Sequence, residues 1–337
     1  MKIEPLHERE DEKIKCLVCE RKCVLSPNKT GLCKNYINID GKLLHIGYGK
    51  LSAIESRPIE IKPFFHYYPN STALTFSGFG CNFYCPWCQN YHLSFSDLPQ
   101  NPKETSPEEL VELALRKGDN GLCASFNEPT TLYTYLLDVF ALGKKKGLYN
   151  CLVTNGYFTH RALRRLIENG ASGFSIDIKG CPKMKVLGTI DNKNVFRNAR
   201  EAIKLGAHVE MVYLVVTNTN DFEECYRWIF KKHMELLGED TPLHINRYYP
   251  MNYWREKETP VERLLMLKEV AQREYNLNYV YIGNIGSIKH ETTYCPKCGE
   301  KLIIRSAYRV LTWRLTKDNK CPKCGTKIPI YGEFKPF

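Results

Sequence analysis

From residue 71 onward the chain alternates between two rhythms of apolar and polar positions. Short apolar runs at Thr72–Ser77, Leu122–Phe126, Tyr149–Thr154, Gly173–Ile178, Val209–Val216 and Leu243–Tyr248 read as strands. Between and after them lie longer stretches with helical spacing: Pro107–Lys117, Thr131–Lys146, Arg161–Asn169, Val195–Leu205, Phe222–Leu237 and Glu262–Tyr275. Ser106-Pro-Glu-Glu, Thr159 and Thr259-Pro-Val-Glu offer helix caps, and Gly147, Gly170 and Gly206 offer stops. Tyr279–Ile282 is a candidate terminal strand. Six strand–helix repeats with nearly continuous apolar strands predict a parallel sheet buried on both faces. An open sheet and a barrel both satisfy this pattern. Either places the working face at the C-terminal ends of the strands.

The flanks do not share the rhythm. Residues 1–14 are polar, Lys42–Leu51 reads as a strand or hairpin arm, and Pro58 and Pro63 mark a connector. Three domains are expected: 1–65, a Cys-rich metal-binding segment; 66–290, the repeating core; and 291–337, a C-terminal ribbon. With 337 residues, 43% hydrophobic and 25% charged, the chain can bury a sizeable core. No stretch approaches the roughly 20 apolar residues needed to cross a bilayer. The mixed-charge start lacks an apolar targeting region, so a cytoplasmic protein is expected. The net charge of +11 suits an anionic substrate or nucleic acid, but the basic residues are spread along the chain, as on an ordinary solvated surface.

Cysteine changes the picture. Three groups hold most of the 15 cysteines: Cys16, Cys19, Cys23 and Cys33; Cys81, Cys85 and Cys88; and Cys295, Cys298, Cys321 and Cys324. Clustered thiols in a cytoplasmic chain mean metal. The N-terminal C-x2-C-x3-C-x9-C run is compatible with zinc or with a second iron–sulfur cluster. The C-terminal pair, Cys295-Pro-Lys-Cys-Gly299 and Cys321-Pro-Lys-Cys-Gly325, fits a four-thiolate zinc ribbon. The central C-x3-C-x2-C run offers three thiols, one short of a closed site. It predicts a cluster with one open iron, for which His92 is the nearest alternative ligand. Cys123 and Cys151 lie within strand patterns and read as small core residues.

The trio directly follows the first predicted strand, and so falls on the working face. The later strands end in polar residues: Ser125-Phe-Asn-Glu-Pro-Thr-Thr131, Thr154-Asn-Gly-Tyr157, Asp177-Ile-Lys179, Thr217-Asn-Thr-Asn220 and His244-Ile-Asn-Arg247. Any one alone reads as a turn or cap. Five at one pole predict a site.

Cys81-x3-Cys85-x-Trp87-Cys88 resembles the signature of the radical S-adenosylmethionine superfamily. Together with the N-terminal quartet, Asn127-Glu-Pro-Thr, Thr154-Asn-Gly, Asp177-Ile-Lys179 and the C-terminal knuckles, it resembles the pyruvate formate-lyase activating enzyme-like branch, and within it the radical enzymes of the AmmeMemoRadiSam system. The resemblance implies an α/β fold, a partial (β/α)6 TIM-like barrel. It implies a 4Fe–4S cluster on Cys81, Cys85 and Cys88 that cleaves S-adenosylmethionine to a 5′-deoxyadenosyl radical, which abstracts hydrogen from a substrate. Glu128, beside Asn127, stands where relatives carry a Gly-Gly-Glu turn that receives the methionine amino group. The double glycine is missing here. Asp177 and Lys179 match an element that contacts the methionine end, and Asn155, His244, Asn246 and Arg247 are candidates for ribose, adenine or substrate. Trp87 would shield the cluster or pack by the adenine, or serve the core.

An electron donor such as ferredoxin or flavodoxin is implied, and a protein substrate is the version suggested by glycyl-radical activation. RNA modification is a further version, prompted by basic residues of the ribbon that include Arg305 and Arg309. The rival from another class is a multi-metal nucleic-acid-binding protein without catalysis.

Overall fold

Seven parallel strands follow one another in chain order across a single sheet, with an eighth, antiparallel strand at its edge. The computed structural model describes residues 1–184, 187 and 190–336. The edge strand is β1 (Ala53–Pro58), and the parallel strands are β2 (Thr72–Ser77), β3 (Gly121–Ala124), β4 (Tyr149–Thr154), β5 (Ala171–Ile178), β6 (His208–Val215), β7 (Leu243–Arg247) and β8 (Val280–Gly283). Helices α1 (Pro107–Arg116), α2 (Tyr133–Lys145), α3 (His160–Glu168), α4 (Asn192–Lys204), α5 (Glu223–Leu237) and α6 (Val261–Arg273) connect β2 through β8. The sheet runs in order from β8 to β1 and its two edges do not pair, so the barrel is partial and open. The fold is the predicted α/β half-barrel, with one parallel strand beyond the six repeats.

Local chemistry explains most of the boundaries. Ser106 accepts the N–H of Glu109 while Glu109 returns a bond to the N–H of Ser106, a complete capping box at α1. Thr159 caps α3 through the N–H of Ala162. Thr259 does not cap α6, contrary to expectation. Its hydroxyl donates to the carbonyl of Val215 and accepts from the N–H of Tyr248, so it ties the loop after β7 to the end of β6. Edge strand β1 was also missed. Its side chains are mostly exposed and show no apolar alternation, so neither strand rhythm marks it. The Lys42–Leu51 stretch contributes the strand Lys42–His45, paired with Tyr36–Ile39 in a hairpin. No helix of the described residues is long and apolar enough to cross a membrane.

The C-terminal segment forms a small antiparallel sheet around β9 (Lys301–Ser306) and β10 (Arg309–Trp313). One side chain of that sheet reaches into the barrel. Arg305, read from the sequence as part of a basic surface, is fully buried. Its guanidinium donates to the carbonyl of Phe65 at 2.6 Å, to Oγ1 of Thr293 at 2.8 Å and to the carbonyl of Glu291 at 3.1 Å. It also lies 4.4 Å over the Phe65 ring. A buried guanidinium is tolerated because these groups replace water.

Candidate active site

The loop after β2 is shaped by backbone constraints. Gly80 adopts φ +76°, and a Cβ there would stand 2.5 Å from the carbonyl oxygen of Cys33, so two separate demands exclude a side chain. Asn127 donates from Nδ2 to the carbonyl of Gly80 at 2.8 Å, and Asn90 donates to the carbonyl of Phe126 at 2.6 Å. The loop after β3 therefore holds the thiol loop from both ends. Within it the N–H of Phe83 donates to Sγ of Cys81 at 3.4 Å, and the N–H of Cys88 to the carbonyl of Cys85 at 3.0 Å.

Cys81, Cys85 and Cys88 open into a cavity of about 660 Å³ at the C-terminal ends of the strands, within the size range of small-molecule sites. Glu128, Asn127, Asn155, Asp177, Lys179, His244 and Arg247 line the same cavity. The structure thus brings every sequence-predicted site residue of the core to one place. His92 is exposed and does not line it. Trp87 is buried at the cavity wall, its ring edge-on to Trp254 at 5.8 Å between centroids.

Asp177 and Lys179 form the polar pair nearest in sequence. An alternating strand puts them on one face, and Lys179 Nζ meets Asp177 Oδ2 at 2.8 Å with both side chains partly exposed to the cavity. Burial works against the lysine's charge, but the Asp177 carboxylate beside it overcomes this and holds its pKa above the usual lysine value. Burial pushes the Cys85 thiol up to about 11, with the Lys179 charge opposing. Buried thiols of this kind stay neutral unless a cation replaces the proton.

Glu128 behaves differently. It is fully enclosed, and burial raises it to about 7 against the hydrogen bonds it accepts. Those come from the N–H of Asn155 at 2.8 Å, the N–H of Thr130 at 3.1 Å and the hydroxyl of Thr154 at 2.9 Å. Its first task is to lock the loop after β3 to the loop after β4. A carboxylate has about four lone-pair sites, so capacity for one further donor remains. Asn155 is also committed. Its Nδ2 donates to Asn82 Oδ1 at 2.7 Å and its Oδ1 accepts the N–H of Tyr157.

Behind His244, Glu210 of β6 is buried and binds the N–H of His66 at 2.7 Å, Nε2 of His208 at 2.9 Å and Nε2 of His244 at 2.7 Å. Burial opposes its charge, yet these contacts hold its carboxyl well below the usual range. His244 is therefore tied to a carboxylate, with its ring stacked on Tyr281. Arg247 donates to the carbonyl of Thr259 at 2.8 Å and to Glu258 at 2.7 Å.

Ser175, Glu60 and Lys62 also line the cavity and were not among the residues expected from the sequence, whereas Asn246 was. Ser175 and Asn246 each carry a buried oxygen without a partner. Ser175 had a signal, since it shares a strand face with Asp177 and Lys179. Glu60 and Lys62 come from the connector before β2, where no repeat pattern points to them. Unpartnered polar atoms, three thiols and an ion pair on one wall form a donor set larger than a single ion needs. No three of the central sulfurs and neighbouring acids gather within 4.8 Å, the spacing one ion would impose. The residues fit a multi-iron cluster together with a polar organic cofactor.

The lone cysteines lie elsewhere. Cys123 and Cys151 are register partners on β3 and β4, both buried. Cys181 is buried against Cys225. In the C-terminal quartet, Cys295 and Cys324 sulfurs are 3.4 Å apart and those of Cys298 and Cys321 are 3.7 Å apart, with all four inside 4.8 Å.

The family model of the radical SAM superfamily matches residues 76–229, the span from the end of β2 to the middle of α5. An uncharacterized protein of Methanocaldococcus jannaschii is 36% identical over 314 residues, which cover 92% of this chain and 93% of that one. The chain belongs to the radical SAM superfamily. A second protein of that organism, whose provisional name is glycyl-radical enzyme activating enzyme, is 28% identical to this radical SAM protein over 217 residues, 60% of this chain and 77% of the other. Among solved structures, a domain of pyruvate-formate lyase-activating enzyme from Bacteroides vulgatus superposes with a TM-score of 0.42 at 14% identity, covering 49% of this chain and 99% of that one. Streptococcus suis SuiB superposes with a TM-score of 0.47 at 13% identity, covering 65% and 48%. Members of the superfamily are enzymes, and Cys81, Cys85 and Cys88 lie within the matched residues, directly after β2.

Proposed function

We propose that this radical SAM enzyme cleaves S-adenosylmethionine reductively and uses the product to take a hydrogen atom from a substrate seated in the same cavity. One observation carries the reading: three thiols, with no fourth cysteine among the described residues of the lining, open into the cavity that the Asp177–Lys179 pair also lines. When bound there, a reduced 4Fe–4S cluster supplies the single electron that splits the sulfonium into methionine and a 5′-deoxyadenosyl radical.

This chain's own residues supply the rest. Cys81, Cys85 and Cys88 would hold the cluster through three thiolates, with no fourth cysteine beside them to close it. Lys179 offers an ammonium to the methionine carboxylate, and Asp177 a carboxylate to its amino group. Glu128, with one acceptor site left, sets the height of the cavity wall and can take one N–H of the same amino group. Asn155, His244 and Arg247 line the far walls, where ribose, adenine or substrate would lie. Trp87 and Trp254 cover the thiol loop and limit access of water. The C-terminal quartet would hold zinc, because its sulfur spacings match the edges of a tetrahedron whose Zn–S bonds are about 2.3 Å.

The electron would come from a low-potential donor of the ferredoxin or flavodoxin type. A protein substrate, activated through a glycyl radical, is the version favoured by the provisional name of the 28%-identical relative. The direct test is chromatography of anaerobically reconstituted, dithionite-reduced protein incubated with S-adenosylmethionine. It should release 5′-deoxyadenosine and methionine, and Cys85→Ala should release neither. Wild-type protein with a full iron complement and no 5′-deoxyadenosine would overturn the proposal.

A further inference from the structure

The three cysteine groups of this chain differ in how far apart they hold their sulfurs, and the difference bears on the N-terminal quartet. A tetrahedral zinc ion with Zn–S bonds of about 2.3 Å places its four sulfurs about 3.8 Å apart. The C-terminal quartet meets that spacing. Among the described residues it is the one group whose ligand atoms all fall within 4.8 Å of one another. No three of Cys16, Cys19, Cys23 and Cys33 do so, and neither do the three central cysteines. The N-terminal quartet therefore shares the wider spacing of the trio that carries the superfamily's iron–sulfur signature.

The four N-terminal cysteines are nevertheless one site. All of them line a single small cavity of about 20 Å³, enough for one water-sized sphere. Sulfurs drawn in around one zinc ion would leave no such void. The local backbone shapes this ring: the N–H of Cys16 donates to the carbonyl of Cys23, Lys22 turns at φ +47°, and a Cβ on Gly31 would stand 3.6 Å from the Cys23 sulfur.

Two further groups point into the cavity. Asn82 and Thr130 both line it and both are almost fully buried. Asn82 Nδ2 and Thr130 Oγ1 make no hydrogen bond of ordinary geometry, although the Cys19 sulfur stands near the first and the Glu128 carboxylate near the second. The orientation of the Asn82 amide is fixed, since its Oδ1 accepts from Asn155 Nδ2 at 2.7 Å. Two buried donors without well-placed acceptors are costly unless a bound group accepts from them. The bridging sulfides of an iron–sulfur cluster are acceptors of this kind, and hydrogen bonds to cluster sulfur tune its potential.

We infer that Cys16, Cys19, Cys23 and Cys33 hold a second iron–sulfur cluster, with Asn82 and Thr130 donating to its sulfides. Its place is adjacent to the central site. Asn82 is the residue after Cys81, Arg21 from the quartet's own loop donates to the Asn82 carbonyl at 2.9 Å, and the carbonyl of Cys33 rests against Gly80. A redox-active group thus stands one residue from a ligand of the first cluster. The assignment does not depend on the reaction proposed above.

The test is iron, sulfide and zinc analysis of the full chain purified and reconstituted anaerobically, alongside the double variant Cys85→Ser/Cys88→Ser, in which the N-terminal segment is native. The expected wild type carries about eight irons, or about six for a two-iron cluster, and one zinc. The double variant keeps two to four irons, acid-labile sulfide, one zinc and an electron paramagnetic resonance signal after reduction. A wild type with about four irons and two zincs, or a double variant with no iron and two zincs, overturns the inference. Because the wild-type metal ratio decides by itself, a folding defect in the variant leaves the inference exposed to refutation. Loss of S-adenosylmethionine cleavage with eight irons retained would count against the proposed reaction and leave the second cluster standing.

Discussion

The carboxylate of Glu128 accepts the backbone N–H of Asn155 at 2.8 Å, across the gap between the β3 and β4 loops. The same group takes the N–H of Thr130 and the hydroxyl of Thr154. One side chain thus fastens two of the loops that carry the site, while its neighbour Asn127 fastens the thiol loop through Gly80.

Replacing that carboxylate with a methyl group strands three buried donors. Glu128→Ala should lower stability by about 3 kcal/mol, read from the urea midpoint of anaerobic protein. A midpoint shift of less than about 0.5 kcal/mol would mean that water or a neighbour replaces the carboxylate.

Glu60 gives a pH signature. Burial, partly offset by Arg305 and by the Asn70 N–H, raises its pKa from 4.5 to about 7. Below pH 4.5 both the folded and the unfolded chain keep the proton, and the group is neutral in its effect. Between 4.5 and 7 the unfolded chain gives up the proton first, so stability falls as pH rises, and above 7 the cost is complete. Relative to Glu60→Gln, wild type should lose about 2–3 kcal/mol of stability from pH 5 to pH 8. Parallel profiles for the two proteins would contradict this.

Arg305 couples the C-terminal sheet to the barrel through Phe65, Thr293 and Glu291. Arg305→Ala should cost about 3 kcal/mol and, in hydrogen-exchange measurements, selectively deprotect β9 and β10. Unchanged exchange in those strands would show that the ribbon docks by other contacts.

Lys179 tests the cofactor assignment. Lys179→Met should weaken S-adenosylmethionine binding at least tenfold, measured by equilibrium dialysis on reconstituted protein with its iron content checked, while the melting temperature changes little. Equal affinity would remove Lys179 from the cofactor site.

Much of this site was legible in the chain because it lies at strand ends. Asp177 and Lys179 stand two apart on a strand, and a period of two puts them on one face whatever the tertiary detail. The trio followed the first apolar run, so its pole was set by connectivity. Arg305 was misread because nothing in its sequence distinguishes it from the exposed Arg309, four positions along the same hairpin; only the approach of Phe65 and Thr293 buries it. Glu60 and Lys62 were invisible for a related reason, since a connector has no periodicity to fix its direction. Thr259 had the residues of a cap and was taken instead by longer-range partners, Val215 and Tyr248. The choice of metal for the N-terminal quartet needed sulfur distances, which spacing in a sequence does not contain.

The central claim is that Cys81, Cys85 and Cys88 leave an iron open to S-adenosylmethionine. Electron paramagnetic resonance of the dithionite-reduced protein, recorded before and after adding S-adenosylmethionine, tests it most directly. The account predicts that the signal removed by Cys85→Ser/Cys88→Ser changes its g-values when the cofactor is added, while the signal that survives in that variant does not respond. A wild-type spectrum that excess S-adenosylmethionine leaves unchanged would contradict it.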